Sequence, residues 1–220
     1  LRGQAQTILF NIDSVADQNY RNGEANIFMP FKKMFDRALG FSDDPAVAKM
    51  ERDLIYAHKF DEFKNAFKQH SGKVWEESRG KLLVMEKELN AAFAEALGMD
   101  LEAAENTRKK YKAGTPLCVE NFVEDIREYL KTKPEDFKLI FLVDEVGQYI
   151  SRDPRTMLNL QTLVEDISVA FKGRVWVMVT AQEEVTEMVK TMNSAQKSDF
   201  SKILARFEVR PNLTSQNAQE

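Results

Sequence analysis

Three short apolar runs constrain the fold of this chain more than any other feature, because they carry its strongest strand signals. They occupy residues 6–12, 138–143 and 174–179, and the second and third are apolar after their first residue rather than alternating with polar residues. Continuous apolar strands are typical of a parallel sheet that is covered on both faces. A weaker candidate strand lies at residues 207–209, just before Pro211.

The stretch between the second and third runs has the pattern of a helix. Asp153 and Pro154 have the residue types of an N-cap and a first helical position, and Gly173 follows the last apolar residue of the helical face. A strand, a helix and a second strand in this order form a β-α-β unit, which crosses over right-handedly in a parallel sheet. The predicted fold class is therefore α/β with a parallel sheet.

The long stretch between the first two runs has helical spacing. One set of apolar residues recurs every seven positions, as in a seam between two helices: Trp75, Leu82, Leu89 and Ala96. We predict a large all-helical insertion over residues 23–135, which separates a strand and loop at 1–22 from an α/β core at 136–220. Two interpretations of the insertion stay open: its helices pack only on one another, or they dock a partner.

Two acids, Asp144 and Glu145, directly follow the second apolar run. Ligands bind beyond the carboxyl ends of parallel strands, and carboxylates there are well placed to hold Mg²⁺ and to activate water. In P-loop ATPases the acid that ends this strand helps to hold the metal. Asp144 is therefore the candidate magnesium and cofactor ligand, and Glu145 the candidate catalytic base. The alternative is an ordinary solvated turn.

Polar residues also follow the third run. Thr180 and Gln182 are candidate catalytic residues, because the tip of a neighbouring strand can contact the γ-phosphate and the attacking water. Thr180 and Glu183 also have the spacing of a capping box. A second interpretation of Thr180, as the N-cap of a following helix, therefore stays open.

Two arginines lie near the end of the chain. Arg206 ends a predicted helix just before the weak strand candidate, and Arg210 follows that strand. Ring-forming ATPases place an arginine at such a helix end, where its guanidinium stabilises phosphoryl charge in the neighbouring subunit. Arg206 is the first candidate for this catalytic role, and Arg210 is a second candidate contact to the nucleotide. The alternative is a surface arginine at a helix C-terminus.

The phosphate-binding loop G-x-x-x-x-G-K-[ST] is absent from the 220 residues. Gly72-Lys73 is followed by Val74, and no glycine precedes it at the required spacing. The chain also begins at Leu1 rather than at a methionine, which predicts an internal piece of a longer protein. We therefore expect the phosphate-binding loop and its helix to precede Leu1, and this chain alone to bind ATP weakly or not at all.

Composition excludes several other classes of protein. No apolar run approaches the length of a membrane-spanning helix. One cysteine and two histidines cannot form an internal disulfide or a Cys/His zinc site, and this cysteine usage predicts a cytoplasmic protein. The formal net charge of −4 argues against a uniformly basic surface that coats nucleic acid, although it leaves room for a local basic patch.

The chain resembles the P-loop ATPase of BREX phage-defence systems, the BrxC/PglY family. The resemblance is carried by these segments: ILFNID at 8–13, FLVDEVGQYI at 141–150, LNLQTLVE at 158–165, WVMVTAQE at 176–183, and DFSKI at 199–203 with Arg206-Phe207. It covers the N-terminal strand and about residues 138–220, whereas the helical stretch carries no motif of the family. The resemblance implies a partial AAA+-type core of the additional-strand catalytic-glutamate class.

The resemblance also implies the biology of the parent protein. That protein would be a large oligomeric ATPase that uses ATP and Mg²⁺ and restricts phage DNA together with other BREX components, including a DNA methyltransferase. DNA association is a further expectation. The rival interpretation is a non-hydrolysing protein- or DNA-interaction module, in which the helical stretch docks the partner and the acid pair has no catalytic role.

Overall fold

The computed structural model describes residues 3–16, 26–114, 118–151 and 154–180. Over these residues the chain is mostly helical with a small parallel sheet, consistent with the predicted α/β class. Contacts divide the chain into two units, Leu1–Phe31 with Cys118–Glu220 (unit 1) and Lys32–Leu117 (unit 2). The domain boundaries predicted after residues 22 and 135 remain predictions.

The sheet has three strands, β1 (Ala5–Asn11), β2 (Lys138–Asp144) and β3 (Val175–Val179). They pair in parallel in the order β1-β2-β3. Each strand lies within one residue of its predicted ends. For β2 and β3 the signal is a continuous apolar run, which is typical of parallel strands. The weak strand candidate at 207–209 lies outside the described residues.

The α-helices of the described residues are, in chain order, α1 (Ile12–Val15), α2 (Phe28–Ala38), α3 (Pro45–Tyr56), α4 (Phe60–Ser71), α5 (Trp75–Ser78), α6 (Glu86–Leu97), α7 (Leu101–Gly114), α8 (Val119–Lys131), α9 (Val146–Ser151) and α10 (Pro154–Phe171). Within the part of the chain that the structure describes, none of them is long and apolar enough to cross a membrane. The predicted N-cap Asp153 lies outside the described residues.

In unit 1 the core lies on one face of the sheet. Phe31 packs against Phe10 and Phe141 with ring-centroid distances of 5.3 and 5.4 Å, and Phe122 of α8 lies 6.1 Å from Phe141. The opposite face carries three large apolar side chains with substantial exposure: Leu9 at 64%, Trp176 at 42% and Met178 at 39%. One face of the sheet is therefore buried and apolar, whereas the other is apolar and partly open.

In unit 2 the core is built around aromatic rings. Trp75 lies edge-on to Phe63 and Phe67, with ring-centroid distances of 4.8 and 5.1 Å, and Phe93 packs on the same cluster. The residues spaced every seven positions do not share one helix, because α5 ends at Ser78 and a 3₁₀ turn at Leu82–Val84 precedes α6. The four residues of the predicted two-helix seam thus lie on three separate segments.

A fully buried carboxylate, Glu51, organises the polar interior of unit 2. Its Oε2 accepts a hydrogen bond from the backbone N–H of Ser42 at 2.7 Å. Its Oε1 accepts from Trp75 Nε1 at 2.7 Å and from Arg79 Nη1 at 3.0 Å. We call these four residues the Glu51 hub. A buried carboxylate is costly unless it is paired. The hub therefore favours one relative position of α3, α5 and the loop before α3.

Candidate functional site

The candidate site lies at the carboxyl end of the sheet. Asn11 and Asp144 are register partners at the ends of β1 and β2. The backbone N–H of Thr180 donates to the Val143 oxygen at 2.9 Å, which continues the β2–β3 pairing one residue beyond β3. The parallel arrangement therefore brings Asn11, Asp144, Glu145 and Thr180 to one edge, and we call these four residues the edge cluster.

Asp144 and Thr180 are joined directly. The Thr180 hydroxyl donates to Asp144 Oδ1. The backbone N–H of Glu145 points between the same two side chains, at 3.0 Å from Asp144 Oδ1 and 3.3 Å from Thr180 Oγ1. The backbone carbonyl oxygen of Thr180 accepts a hydrogen bond from the Val146 N–H at 3.2 Å. These bonds fasten the tip of β3 to the turn that carries the two acids.

Glu145 occupies a special backbone position between β2 and α9. Its φ of 60° lies in the left-handed region, which is uncommon for residues other than glycine and costs about 1–3 kcal/mol. The bonds from its N–H to Asp144 and Thr180 hold this conformation, and its carbonyl accepts from the Tyr149 N–H at 3.3 Å in the first turn of α9. Such local strain is typical of functional positions.

Asn11 is the member of the edge cluster that the sequence did not single out. Its Oδ1 caps α1 by accepting from the Ser14 N–H at 3.2 Å. With the oxygen engaged there, its Nδ2 donates to Glu145 Oε2. The available signal was its place at the end of the first apolar run. Ligand-binding residues follow the carboxyl ends of parallel strands, and we call this the edge rule; it applies to Asn11 as it does to Asp144. The predicted strand extended to Ile12, which hid Asn11 inside the strand.

The donor set at this edge fits magnesium bound together with phosphate. The Asp144 side chain is exposed, and carboxylate oxygen is a ligand that Mg²⁺ prefers. Among the described residues, no group of three or more His, Cys, Asp or Glu side chains gathers into a protein-only metal cage. Mg²⁺ is commonly held by one or two carboxylates plus substrate phosphates and water, an arrangement with which the exposed Asp144 carboxylate is compatible.

Three predicted site residues, Gln182, Arg206 and Arg210, lie outside the described residues. The second interpretation of Thr180, as a helix cap, also depends on residues beyond position 180. What the structure does show for Thr180 is that its hydroxyl is directed at Asp144.

Comparisons with known proteins add no family to this geometry. No family model matches the chain, and no solved structure matches it significantly.

Proposed function

We propose that this chain is part of the core of an ATPase that binds and hydrolyses ATP with Mg²⁺ in a BREX-type defence complex acting on DNA. The observation that carries the proposal is the edge cluster, in which a strand-end acid, the following glutamate, an asparagine and a threonine meet at the carboxyl edge of a parallel sheet. Ligands bind at this edge in open α/β sheets. The BREX assignment itself rests on the sequence resemblance.

Each side chain of the edge cluster has a definable task in hydrolysis. Glu145 takes up a proton from the attacking water, or orients that water, as a general base. Asn11 holds one carboxylate oxygen of Glu145 and so limits the directions in which the base can point. Asp144 would hold the metal, through water, and Mg²⁺ when bound would neutralise charge on the phosphates. Thr180 orients Asp144 through its hydroxyl, and it would contact the γ-phosphate.

The exposed sheet face supports a partial core. Parallel sheets are covered on both faces in almost all α/β proteins. Here the face that carries Leu9, Trp176 and Met178 is apolar and partly open. We propose that the ATPase core is completed in a longer protein by further elements, including a phosphate-binding loop and its helix, which the 220 residues do not carry. We call that longer protein the upstream-extended protein, and we expect the 220-residue chain alone to be inactive.

The remaining roles belong to the same proposal. Gln182 would contact the γ-phosphate or the attacking water, Arg206 would act on a neighbouring subunit, and Arg210 would contact nucleotide. The parent would be a cytoplasmic homo-oligomer that works with other BREX components and associates with DNA. Unit 2, a helical unit with its own aromatic core, would belong to the predicted helical insertion in the ATPase core.

The proposal is tested by the magnesium dependence of hydrolysis. In the upstream-extended protein, Asp144→Asn is expected to raise the Mg²⁺ concentration for half-maximal ATP hydrolysis roughly 10-fold or more, because a carboxylate that orders the metal is lost. Steady-state phosphate release across a Mg²⁺ titration measures this.

The matched control is Asp136→Asn, which changes an exposed acid in the turn before β2, at the opposite end of the strand. It is expected to leave the titration unchanged. If wild type and Asp144→Asn need the same Mg²⁺ concentration for half-maximal hydrolysis, Asp144 does not hold the metal. Absence of hydrolysis in the wild-type protein would favour the non-hydrolysing interaction module.

A further inference from the structure

A buried polar cluster lies in unit 1 next to the helix that follows Glu145. Asn26 is 3% exposed and Thr156 is 4% exposed. The Asn26 Nδ2 donates to Thr156 Oγ1 at 2.6 Å, and its Oδ1 accepts from Asn159 Nδ2 at 3.0 Å. The Tyr149 hydroxyl donates to the Asn26 backbone oxygen at 3.0 Å. We call these four residues the Asn26 cluster.

The Asn26 cluster joins two helices through a third segment of chain. Thr156 and Asn159 lie on α10, Tyr149 lies on α9, and Asn26 lies just before α2. Both ends of the Asn26 side chain and its carbonyl are engaged, so the position of α9 relative to α10 is specified by directional bonds as well as by apolar packing. Buried polar networks of this kind favour one arrangement when they are fully satisfied.

The helix fixed in this way directly follows Glu145. Glu145 immediately precedes α9, and its carbonyl accepts the Tyr149 N–H. α9 also packs against α1, whose N-cap is Asn11. Both partners of the Asn11–Glu145 hydrogen bond are therefore attached to the α1–α9 pair, one at the start of each helix.

We propose that the Asn26 cluster positions Glu145. It holds α9 against α10 and α1, and so keeps the Glu145 carboxylate within reach of Asn11. Tyr149 and Asn26 are then positioning residues, since neither contacts the reacting groups. This inference rests on the proposed function, because it assigns the geometric support of the proposed base.

The test uses the side-chain amide of Asn11 as a reporter in the 220-residue chain, by ¹H–¹⁵N NMR without nucleotide. Glu145→Gln removes the charge of the acceptor and defines the reference shift of the Asn11 amide resonance. Tyr149→Phe removes only the hydroxyl that reaches Asn26, and we expect it to move the Asn11 resonance in the same direction as Glu145→Gln. Hydrogen exchange at the Val146 amide is expected to accelerate at least about tenfold, because local opening of α9 becomes easier.

Tyr129→Phe is the matched control. It also deletes a tyrosine hydroxyl with a hydrogen bond in unit 1, to Gln6 at the other end of β1. It is expected to leave the Asn11 resonance unchanged. Thr156→Val, which is close in shape to threonine and breaks the bond from Asn26, is a second variant should Tyr149→Phe fail to fold, and it is expected to shift the resonance as Tyr149→Phe does.

An unchanged Asn11 resonance in both cluster variants overturns the proposal, and so does an equal shift in Tyr129→Phe. Because the reporter needs no nucleotide, the two proposals fail separately. An unchanged Asn11 chemical shift in the cluster variants would not bear on the proposed catalytic role of Glu145. Unchanged hydrolysis in Glu145→Gln would refute that role without bearing on the coupling between Tyr149 and Asn11.

Discussion

Glu145→Gln is expected to lower kcat for ATP hydrolysis about 100-fold or more in the upstream-extended protein, with little change in Mg·ATP affinity. The substitution keeps the size of the side chain and the oxygen that Asn11 can donate to, and removes the basic oxygen that accepts a proton. General-base catalysis contributes roughly 10²- to 10⁴-fold in enzymes. Phosphate release and nucleotide binding, measured on the same preparations, separate the effect on kcat from an effect on binding.

Glu135→Gln is the matched control for this substitution. Glu135 is an exposed glutamate in the loop before β2, so the same chemical change is made far from the edge cluster. We expect wild-type turnover from it. Undiminished hydrolysis in Glu145→Gln would show that the acid pair has no catalytic role, and it would favour the interaction module.

Glu51→Ala is expected to destabilise unit 2 by about 3–5 kcal/mol, which is a large part of the stability of a typical domain. The substitution leaves three donors of the Glu51 hub without their acceptor: the Ser42 N–H, Trp75 Nε1 and Arg79 Nη1. Arg79 Nη1 retains a bond to the Gly40 oxygen at 2.7 Å, so the cost falls mainly on the other two. Urea unfolding followed by Trp75 fluorescence, in a Trp176→Phe background, measures it.

Two further variants sharpen the Glu51 experiment. Glu51→Gln keeps one acceptor oxygen and the shape of the side chain, and is expected to cost less than the alanine variant. Glu62→Ala removes an exposed glutamate that pairs with Lys59, with its side chain 56% exposed, and is expected to cost under about 1 kcal/mol. Similar unfolding midpoints for Glu51→Ala and Glu62→Ala would contradict a stabilising hub.

The sheet was accessible from sequence because its signal is local. Each strand spans five to seven residues and contains a local apolar run. Because ligand-binding residues follow the carboxyl ends of parallel strands, Asp144 and Thr180 are then located without further information. Asn11 follows from the same rule, but only once the end of β1 is known to within one residue. An error of one residue at a strand end is ordinary, and here it concealed a hydrogen-bond donor to the proposed base.

The Glu51 hub was not accessible in the same way. Glu51 looks like one more charged residue in an amphipathic helix, and its partners lie 9, 24 and 28 residues away along the chain. The Asn26 cluster spans still longer separations, up to 133 residues between Asn26 and Asn159. Such contacts depend on tertiary packing, which apolar periodicity does not encode.

Magnesium-dependent ATP hydrolysis, measured side by side for the 220-residue chain and the upstream-extended protein, tests the proposed ATPase core most directly. We predict turnover by the extended protein and none by the chain alone, because the edge cluster would supply the proposed base and metal ligand whereas the phosphate-binding loop is absent from the 220 residues. Hydrolysis by the chain alone, or none by the extended protein, would contradict that prediction.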